Sequence, residues 1–404
     1  MEIRRLLLSS ARKSRKGLLA VYIVALVGAI FLADTMARTF VRAPRITVES
    51  AAGRPGEKCH LGQQPTGDCG REGSRPAAVV RHERGEASQI TESTSPDGTK
   101  TKTITFRGMR IDKLYPSMTG PSKDHTVLLG GNDDGVWITR YKAEVLDPES
   151  GRLRQEYMCH TSLDLLGTAG TEASTYHRQE LTVSQGQEEI AFPKGFALHF
   201  PNDPLVDIHV LVMVLNNNDP DLRRDFDFRT TLRYAGDKTA REQKLVPLFQ
   251  TGFAAFPLLD SEKLEAGETG VRTATEKEVE RGRDGRQRTG HWMVPPGRQV
   301  IRETSALGLS SDTTIHYIWM HVHPYAESVE LRDKTAEKTL WKGRVVNDPD
   351  ARKARLVSTE HFESTQGIPV FKGHVYELVS TYNNPTNHDI DAMASLWIYA
   401  RSAQ

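Results

Sequence analysis

The stretch Val136–Val145 (VWITRYKAEV) shows the pattern that decides the fold class. Its second half places Tyr141, Ala143 and Val145 at every second position, with charged residues between them. Because side chains of a β-strand alternate between two faces, this pattern predicts a strand with one buried face. Short runs of the same kind, separated by turn residues, are Thr126–Leu129, Val206–Leu215, Phe228–Tyr234, Ile315–His323, Val375–Tyr382 and Ala394–Ala400. The sequence therefore predicts an all-β fold built of antiparallel β-sandwiches.

The N-terminus carries a membrane-targeting pattern. Met1–Lys16 contains six basic residues and one acid, and Gly17–Ala33 follows with 17 uncharged, mostly apolar residues. A basic flank stays in the cytoplasm, so residues 1–38 are predicted to be a cytoplasmic tail and a transmembrane anchor. The remaining chain is then periplasmic or extracellular. Small residues at Ala33 and Ala37 leave a cleaved signal peptide as the alternative.

The rest of the chain divides into three predicted parts. Residues 39–103 are polar and rich in turn formers, which is typical of a flexible stalk, and residues 104–245 and 246–404 are predicted as two sandwiches. In an oxidising compartment, Cys59 and Cys69 of the stalk are expected to form a local disulfide. The chain has 53 Lys and Arg against 52 Asp and Glu, a balance that argues against a nucleic-acid partner.

The segment Ile315–His323 (IHYIWMHVH) holds the strongest functional signal. On a strand, His321 and His323 project from one face and can both reach one metal ion. Alone, the pair favours two surface histidines on an exposed strand face over a metal site. It is followed by the segments GHVYEL (373–378), STYNN (380–384) and MASLWIY (393–399).

This order resembles the second domain of the copper type II, ascorbate-dependent monooxygenases, the family of the peptidylglycine α-hydroxylating and dopamine β-monooxygenases. The resemblance implies two tandem jelly-roll sandwiches. It also implies one copper ion held by His321, His323 and Met393. Two imidazoles and a soft thioether suit Cu(I) and leave a coordination position open for O₂.

The resemblance extends more weakly into the first sandwich. Glu156–His160 (EYMCH) lies where the family has a His-His strand, and Cys159 stands in place of one histidine. The family's second copper site is therefore either lost or rebuilt from Cys159, His160 and Met213. A buried thiol beside a hydrogen-bonded histidine is the alternative interpretation.

The groups that bind substrate in the family also differ. Trp319 replaces the arginine of the peptide-processing relatives, and Trp397 replaces a tyrosine. A pocket flanked by these two indoles favours an uncharged substrate, although two core tryptophans would give the same sequence.

Three functions remain open at this level. The first is a copper-dependent monooxygenase that hydroxylates an uncharged substrate with one copper ion and takes its second electron from an outside donor. The second is a copper-handling protein without catalysis. The third is a metal-free accessory subunit of a membrane complex, since a fold can persist without its activity.

Overall fold

The computed structural model describes residues 89–127, 129, 135–167, 176–200, 207–266, 268–276, 279–282 and 284–402. The predicted anchor, the stalk up to residue 88, Cys59 and Cys69 lie outside these residues. Within them, no helix has the length and apolar character needed to span a membrane. All described residues belong to one compact unit, Glu83–Gln404.

Strands dominate the described part of the chain, and the helical elements are a 3-10 turn at Gln155–Tyr157 and the short helix α1 (Asp237–Glu242). The strands are β1 (Gln89–Thr94), β2 (Lys100–Ile111), β3 (Ser122–Val127), β4 (Val136–Leu146), β5 (Met158–Gly167), β6 (Tyr176–Ser184), β7 (Glu189–Ala191), β8 (Phe196–Phe200), β9 (Asp207–Val214), β10 (Arg224–Gly236), β11 (Val246–Ala254), β12 (Leu258–Leu259), β13 (Gly270–Thr273), β14 (Val279–Arg281), β15 (Gln287–Thr289), β16 (Trp292–Val294), β17 (Gly297–Ser305), β18 (Thr313–Val322), β19 (Ala326–Asp333), β20 (Lys338–Asn347), β21 (Leu356–Thr359), β22 (Phe362–Val370), β23 (Tyr376–Asn384), β24 (Ile390–Ala392) and β25 (Ala394–Ser402). The all-β prediction is confirmed.

The first strands begin earlier than the sequence suggested. Strand β1 (QITEST) lies in the segment predicted as stalk, and all six of its residues are exposed. It pairs along its whole length with β2 and forms the edge of a sheet. A polar edge strand lacks the apolar alternation that marks a half-buried strand, which explains why its composition resembles that of a linker.

The described strands form four sheets. The largest has the order β1-β2-β10-β4-β8-β11-β25-β18-β22, with β7 paired to β4. The others are β3-β9-β5-β6, β17-β23-β19-β20-β21 and β14-β15-β12-β13-β16-β24. Strand β11 links the two halves of the large sheet, because it pairs in parallel with β8 and antiparallel with β25.

Two hydrophobic cores lie in this unit, and β18 contributes to both. Tyr317 and Trp319 pack, together with Trp397 and Tyr399 of β25, in the core formed mainly by residues 104–248. Ile318 and Met320 pack in the core formed by residues 253–400. A strand that is buried on both faces needs a continuous apolar run rather than alternation. The largely apolar run IHYIWM (315–320) meets this requirement.

Candidate metal centre

Two histidines and a carboxylate meet at the ends of three short segments. His291 precedes β16, His323 follows β18, and Asp391 lies in β24. The Nδ1 atom of His323 lies 3.1 Å from one carboxylate oxygen of Asp391, and the Nδ1 atom of His291 lies 3.3 Å from the other. One ligand atom from each of the three residues lies within 4.8 Å of the other two.

Strand pairing explains how residues 100 positions apart come together. In the β16–β24 ladder, Met293 is directly opposite Asp391. His291 is two residues before Met293 and therefore shares its face, diagonally beside Asp391.

A buried tyrosine fixes the third residue of the cluster. The hydroxyl of Tyr382 accepts a hydrogen bond from the backbone N–H of His323 (3.0 Å) and donates one to the carbonyl of Met393 (2.5 Å). Tyr382 is only 1% exposed. It thus ties the end of β18 to the segment that joins β24 and β25.

The electrostatics of the cluster favour an ionised carboxylate. Burial by itself would raise the pKa of Asp391, but the neighbouring His323 and His291 outweigh it and hold this pKa well below its usual range. Because both histidines are almost fully buried, at 4% and 5% exposure, their rings cannot exchange these partners freely for water.

Two of the separations among the three donors, each to a different oxygen of Asp391, have the size expected for ligands of one metal ion. Ligand atoms bound to one ion at 2.0–2.2 Å lie roughly 2.8–3.6 Å apart for bond angles between square and tetrahedral. The 3.1 and 3.3 Å separations fall in this range. Without an ion, the same distances are those of two Nδ1–H groups donating to one carboxylate.

Further side chains of the types that bind metals lie near this cluster, in β5 and β18. The Nδ1 atom of His160 lies 3.3 Å from the Sγ atom of Cys159. The Nδ1 atom of His321 lies 3.1 Å from the Oγ atom of Ser184. Ser117 contacts both groups of residues, with its Oγ atom 3.3 Å from Nε2 of His323 and 4.0 Å from Sγ of Cys159.

A cavity of about 230 Å³ opens beside these residues. Its wall combines polar side chains with apolar ones, and none of the residues that line it is a lysine or an arginine. Cys159, Ser184, His321, His323 and Asp391 all contribute to the wall. This volume is slightly below the roughly 300–1,000 Å³ that is typical of pockets for drug-sized ligands, so it suits a small molecule.

The structure brings together part of the ligand set that the sequence suggested. The rings of His321 and His323 are 5.5 Å apart. Met393 follows Asp391 by two residues, but it does not line the cavity, and its described polar contacts are the backbone bonds to Tyr382. Met213 is directly opposite His160 in the β5–β9 ladder and is half-buried.

The two tryptophans lie in the core. Trp319 and Trp397 stack with their ring centroids 5.7 Å apart and are 0% and 6% exposed. Neither belongs to the wall of the cavity. Their position corresponds to the core alternative that the sequence left open.

Sequence reasoning missed His291 and Asp391. His291 directly precedes the three-residue strand WMV (292–294), and Asp391 is the middle residue of the three-residue strand IDA (390–392). Neither belongs to a recognisable spacing motif. What brings them together is the pairing of these two short apolar segments, and finding it requires the register of the β16–β24 ladder.

Comparisons with known proteins give no family. No protein-family model matches the chain, and no curated protein is significantly similar in sequence. Among solved structures, PNGase F, a glycosylasparaginase from Flavobacterium meningosepticum, is 9% identical with a TM-score of 0.30, over 75% of this chain and 96% of that chain. The STIV MCP is 9% identical with a TM-score of 0.28, over 74% and 96%. Similarities of this size give no indication of what this chain does.

Proposed function

We propose that this protein binds one copper ion through His291, His323 and Asp391 and is a copper-dependent oxidoreductase. The observation that supports the proposal most directly is the pair of Nδ1-to-carboxylate separations, 3.1 and 3.3 Å, at the wall of a cavity. The resemblance of residues 315–399 to the copper monooxygenases supports the choice of reaction class.

The donor set is compatible with copper. Imidazole nitrogens and a carboxylate bind borderline divalent ions, and among these copper has the highest affinity for a given site. When bound, copper would supply one-electron redox chemistry and an open position for O₂. This set differs from the one that the resemblance implies, because Asp391 and His291 stand where His321 and Met393 were expected.

The protein groups around the cluster have separate tasks in this proposal. Tyr382 positions His323 through the backbone, and the Asp391 carboxylate selects the orientation of both imidazole rings. The mixed wall of the cavity would hold a small substrate next to the cluster and displace water from it.

The wall also restricts the class of substrate. Two aspartates, Asp389 and Asp391, line the cavity, and neither lysine nor arginine is present in the wall to pair with an anion. A carboxylate or phosphate group would therefore lie beside two acidic residues without a lysine or arginine partner, which is costly. We infer an uncharged substrate that presents a C–H bond to the cluster.

Membrane attachment remains part of the proposal. The basic segment 1–16 and the uncharged segment 17–33 are its support. Cell fractionation of the full-length protein and of a variant that lacks residues 1–38 tests it. If both forms remain with the membranes after a high-salt wash, the segment is not the anchor.

Metal analysis of the full-length protein tests the copper site. The unaltered protein should take up copper, and Asp391→Asn should lose one equivalent. Asp389→Asn is the matched control, because Asp389 lies two residues away and pairs with Arg272 instead. Met393→Leu should retain the ion. If Met393→Leu loses copper while Asp391→Asn keeps it, the ligand set of the monooxygenases is the correct one. No uptake at all would favour the metal-free subunit.

Catalysis needs a second assay. Copper-loaded protein supplied with ascorbate should consume O₂ faster than the Asp391→Asn variant that has been treated with the same amount of copper. Equal rates would leave copper handling without catalysis as the better description.

A further inference from the structure

We propose that the metal-free protein hydrolyses small uncharged esters, with Ser117 as the nucleophile, His323 as the general base and Asp391 as the carboxylate that orients the base. Two contacts that share one imidazole ring support the proposal. Nε2 of His323 lies 3.3 Å from Oγ of Ser117, and Nδ1 of the same ring lies 3.1 Å from the Asp391 carboxylate. The activity goes beyond the copper site and does not require it, because His323 and Asp391 act here without an ion.

Asp391 decides which nitrogen of His323 carries the hydrogen. A carboxylate only accepts hydrogen bonds, so the Nδ1 atom that faces it is protonated in the metal-free protein. Nε2 of the neutral ring is then an acceptor, and the Ser117 hydroxyl donates to it. The other oxygen of Asp391 lies 3.3 Å from Nδ1 of His291, which holds the carboxylate in place. A nucleophile, a base and a third group that orients the base are the arrangement in which a serine hydroxyl is activated.

The connection between β2 and β3 presents Ser117 to the imidazole. Two residues before Ser117, the backbone of Tyr115 exchanges two hydrogen bonds with the backbone of Asn216, at 2.8 and 2.9 Å. Directly after Ser117, Met118 has a φ of +63°, which is uncommon for a residue other than glycine. Strained backbone of this kind is common at active sites, where the surrounding structure maintains it. The serine is therefore held in position.

The three residues open onto the cavity. Ser117, His323 and Asp391 all line it, and Ser117 is only half-buried, so a substrate can reach its hydroxyl. The volume of about 230 Å³ limits the substrate to a small molecule. Because neither lysine nor arginine lines the wall, an ester without a negative charge is favoured. The 3.3 Å contact is slightly long for proton transfer, and such contacts tighten when a substrate binds.

Ester hydrolysis at these residues needs no co-reactant except water. Oγ of Ser117 bonds to the carbonyl carbon while Nε2 of His323 takes the hydroxyl proton. The C–O bond of the ester breaks, and the leaving alkoxide takes that proton from Nε2 and departs as an alcohol. Water then attacks the acyl-serine, its proton passes through Nε2 to Oγ, and a carboxylic acid leaves. Asp391 stabilises the charge that His323 carries between these transfers and takes no proton itself.

Copper binding and ester hydrolysis exclude each other. In the proposed copper site, Nδ1 of His323 binds the ion, so Nε2 carries the hydrogen and cannot accept the proton of Ser117. Bound copper should therefore stop the hydrolysis.

Covalent labelling of the serine tests the proposal. Chelator-treated full-length protein is exposed to diisopropyl fluorophosphate, which phosphorylates an activated serine with release of fluoride, and peptide mass spectrometry locates the adduct. We expect one adduct, on Ser117, and none in Ser117→Ala. Asp391→Asn can donate to Nδ1 and so favours the wrong tautomer, which should slow labelling at least about 100-fold with an unchanged circular dichroism spectrum. Ser122→Ala is the matched control, because Ser122 is exposed on β3 outside the wall, and it should be labelled at the unaltered rate.

Hydrolysis of p-nitrophenyl acetate measures turnover in the same metal-free samples. After subtraction of the rate without protein, kcat/KM of Ser117→Ala should be at least about 100-fold lower than that of the unaltered protein. An unlabelled Ser117 overturns the proposal. Equal labelling rates in Asp391→Asn and the unaltered protein, or equal values of kcat/KM in Ser117→Ala, overturn it as well.

The outcomes for copper and for hydrolysis are separable. If the protein takes up no copper but Ser117 is labelled, the copper proposal fails and the hydrolase stands. If copper binds through Asp391 but the metal-free protein is not labelled, the hydrolase fails and the copper site stands. Labelling of Ser117 at an unaltered rate with copper fully bound would place the ion elsewhere and leave the hydrolase intact.

Discussion

Removing one hydroxyl group, in Tyr382→Phe, should both destabilise the protein and weaken its metal site. This hydroxyl is the hydrogen-bond partner of the His323 N–H and the Met393 carbonyl, and Tyr382 is 1% exposed. A buried donor or acceptor without a partner costs about 1–3 kcal/mol, so the two groups together should lower the free energy of unfolding by about 2–6 kcal/mol. Loss of the hydroxyl also frees the backbone that positions the His323 ring. We therefore expect the copper affinity of Tyr382→Phe to fall by about 10–100-fold.

Tyr376→Phe is the matched control. Tyr376 lies on the same strand β23, is 0% exposed, and bonds to the backbone N–H (2.7 Å) and carbonyl (3.1 Å) of Phe371. Because Phe371 is 42% exposed, water can replace that hydroxyl. We expect a loss of about 1 kcal/mol and unchanged copper affinity. Urea unfolding of the metal-free proteins and competitive copper titration measure both quantities. If Tyr382→Phe binds copper as tightly as the unaltered protein, the proposed role of Tyr382 is refuted.

Three further results are expected. Burial raises the pKa of Asp164 to about 6, so the folded protein loses stability as the pH rises from the usual pKa of an aspartate through 6. The free energy of unfolding of Asp164→Asn should therefore equal that of the unaltered protein near pH 4 and exceed it by about 3 kcal/mol at pH 8. An equal gain at both pH values in urea unfolding would contradict this. In Gly252→Ala, the added Cβ would lie 2.0 Å from the Leu396 carbonyl oxygen, and residue 252 has a φ of +139°. The variant should therefore be destabilised by at least about 2 kcal/mol, which thermal unfolding would show as a lower melting temperature. An unchanged melting temperature would show that β11 and β25 are not tightly packed at this position. Copper at about 100 times its dissociation constant should raise the free energy of unfolding by about 2.7 kcal/mol in the unaltered protein, and a similar rise in Asp391→Asn would argue for binding elsewhere.

Much of the fold can be predicted from local patterns. Alternation in segments such as Tyr141–Val145 gives strands, because the side-chain period of a strand is two. The short polar strand β1 cannot be found in this way, since an exposed edge has no apolar face to reveal it. The run IHYIWM is readable as a strand, but its burial between two cores depends on which sheets cover it.

The candidate site is only half predictable for a similar reason. The spacing of His321 and His323 is local, and the sequence displays it. The meeting of His291 with Asp391 depends on the β16–β24 register, and the orientation of Cys159 depends on a bulge in β5. Both are consequences of pairing between distant segments, so no local motif encodes them.

The central claim is that His291, His323 and Asp391 hold copper, and copper X-ray absorption on the full-length Cys159→Ser variant tests it most directly. This variant lacks the buried Cys159 thiol, so any sulfur in the copper shell would have to come from a methionine or from Cys59 or Cys69, which lie outside the described residues. We predict nitrogen and oxygen neighbours of copper at about 2.0–2.2 Å, together with the outer-shell scattering of two imidazole rings. This copper spectrum should be lost when Asp391→Asn is combined with Cys159→Ser. A shell with a sulfur neighbour, or one unaltered by Asp391→Asn, would contradict the assignment.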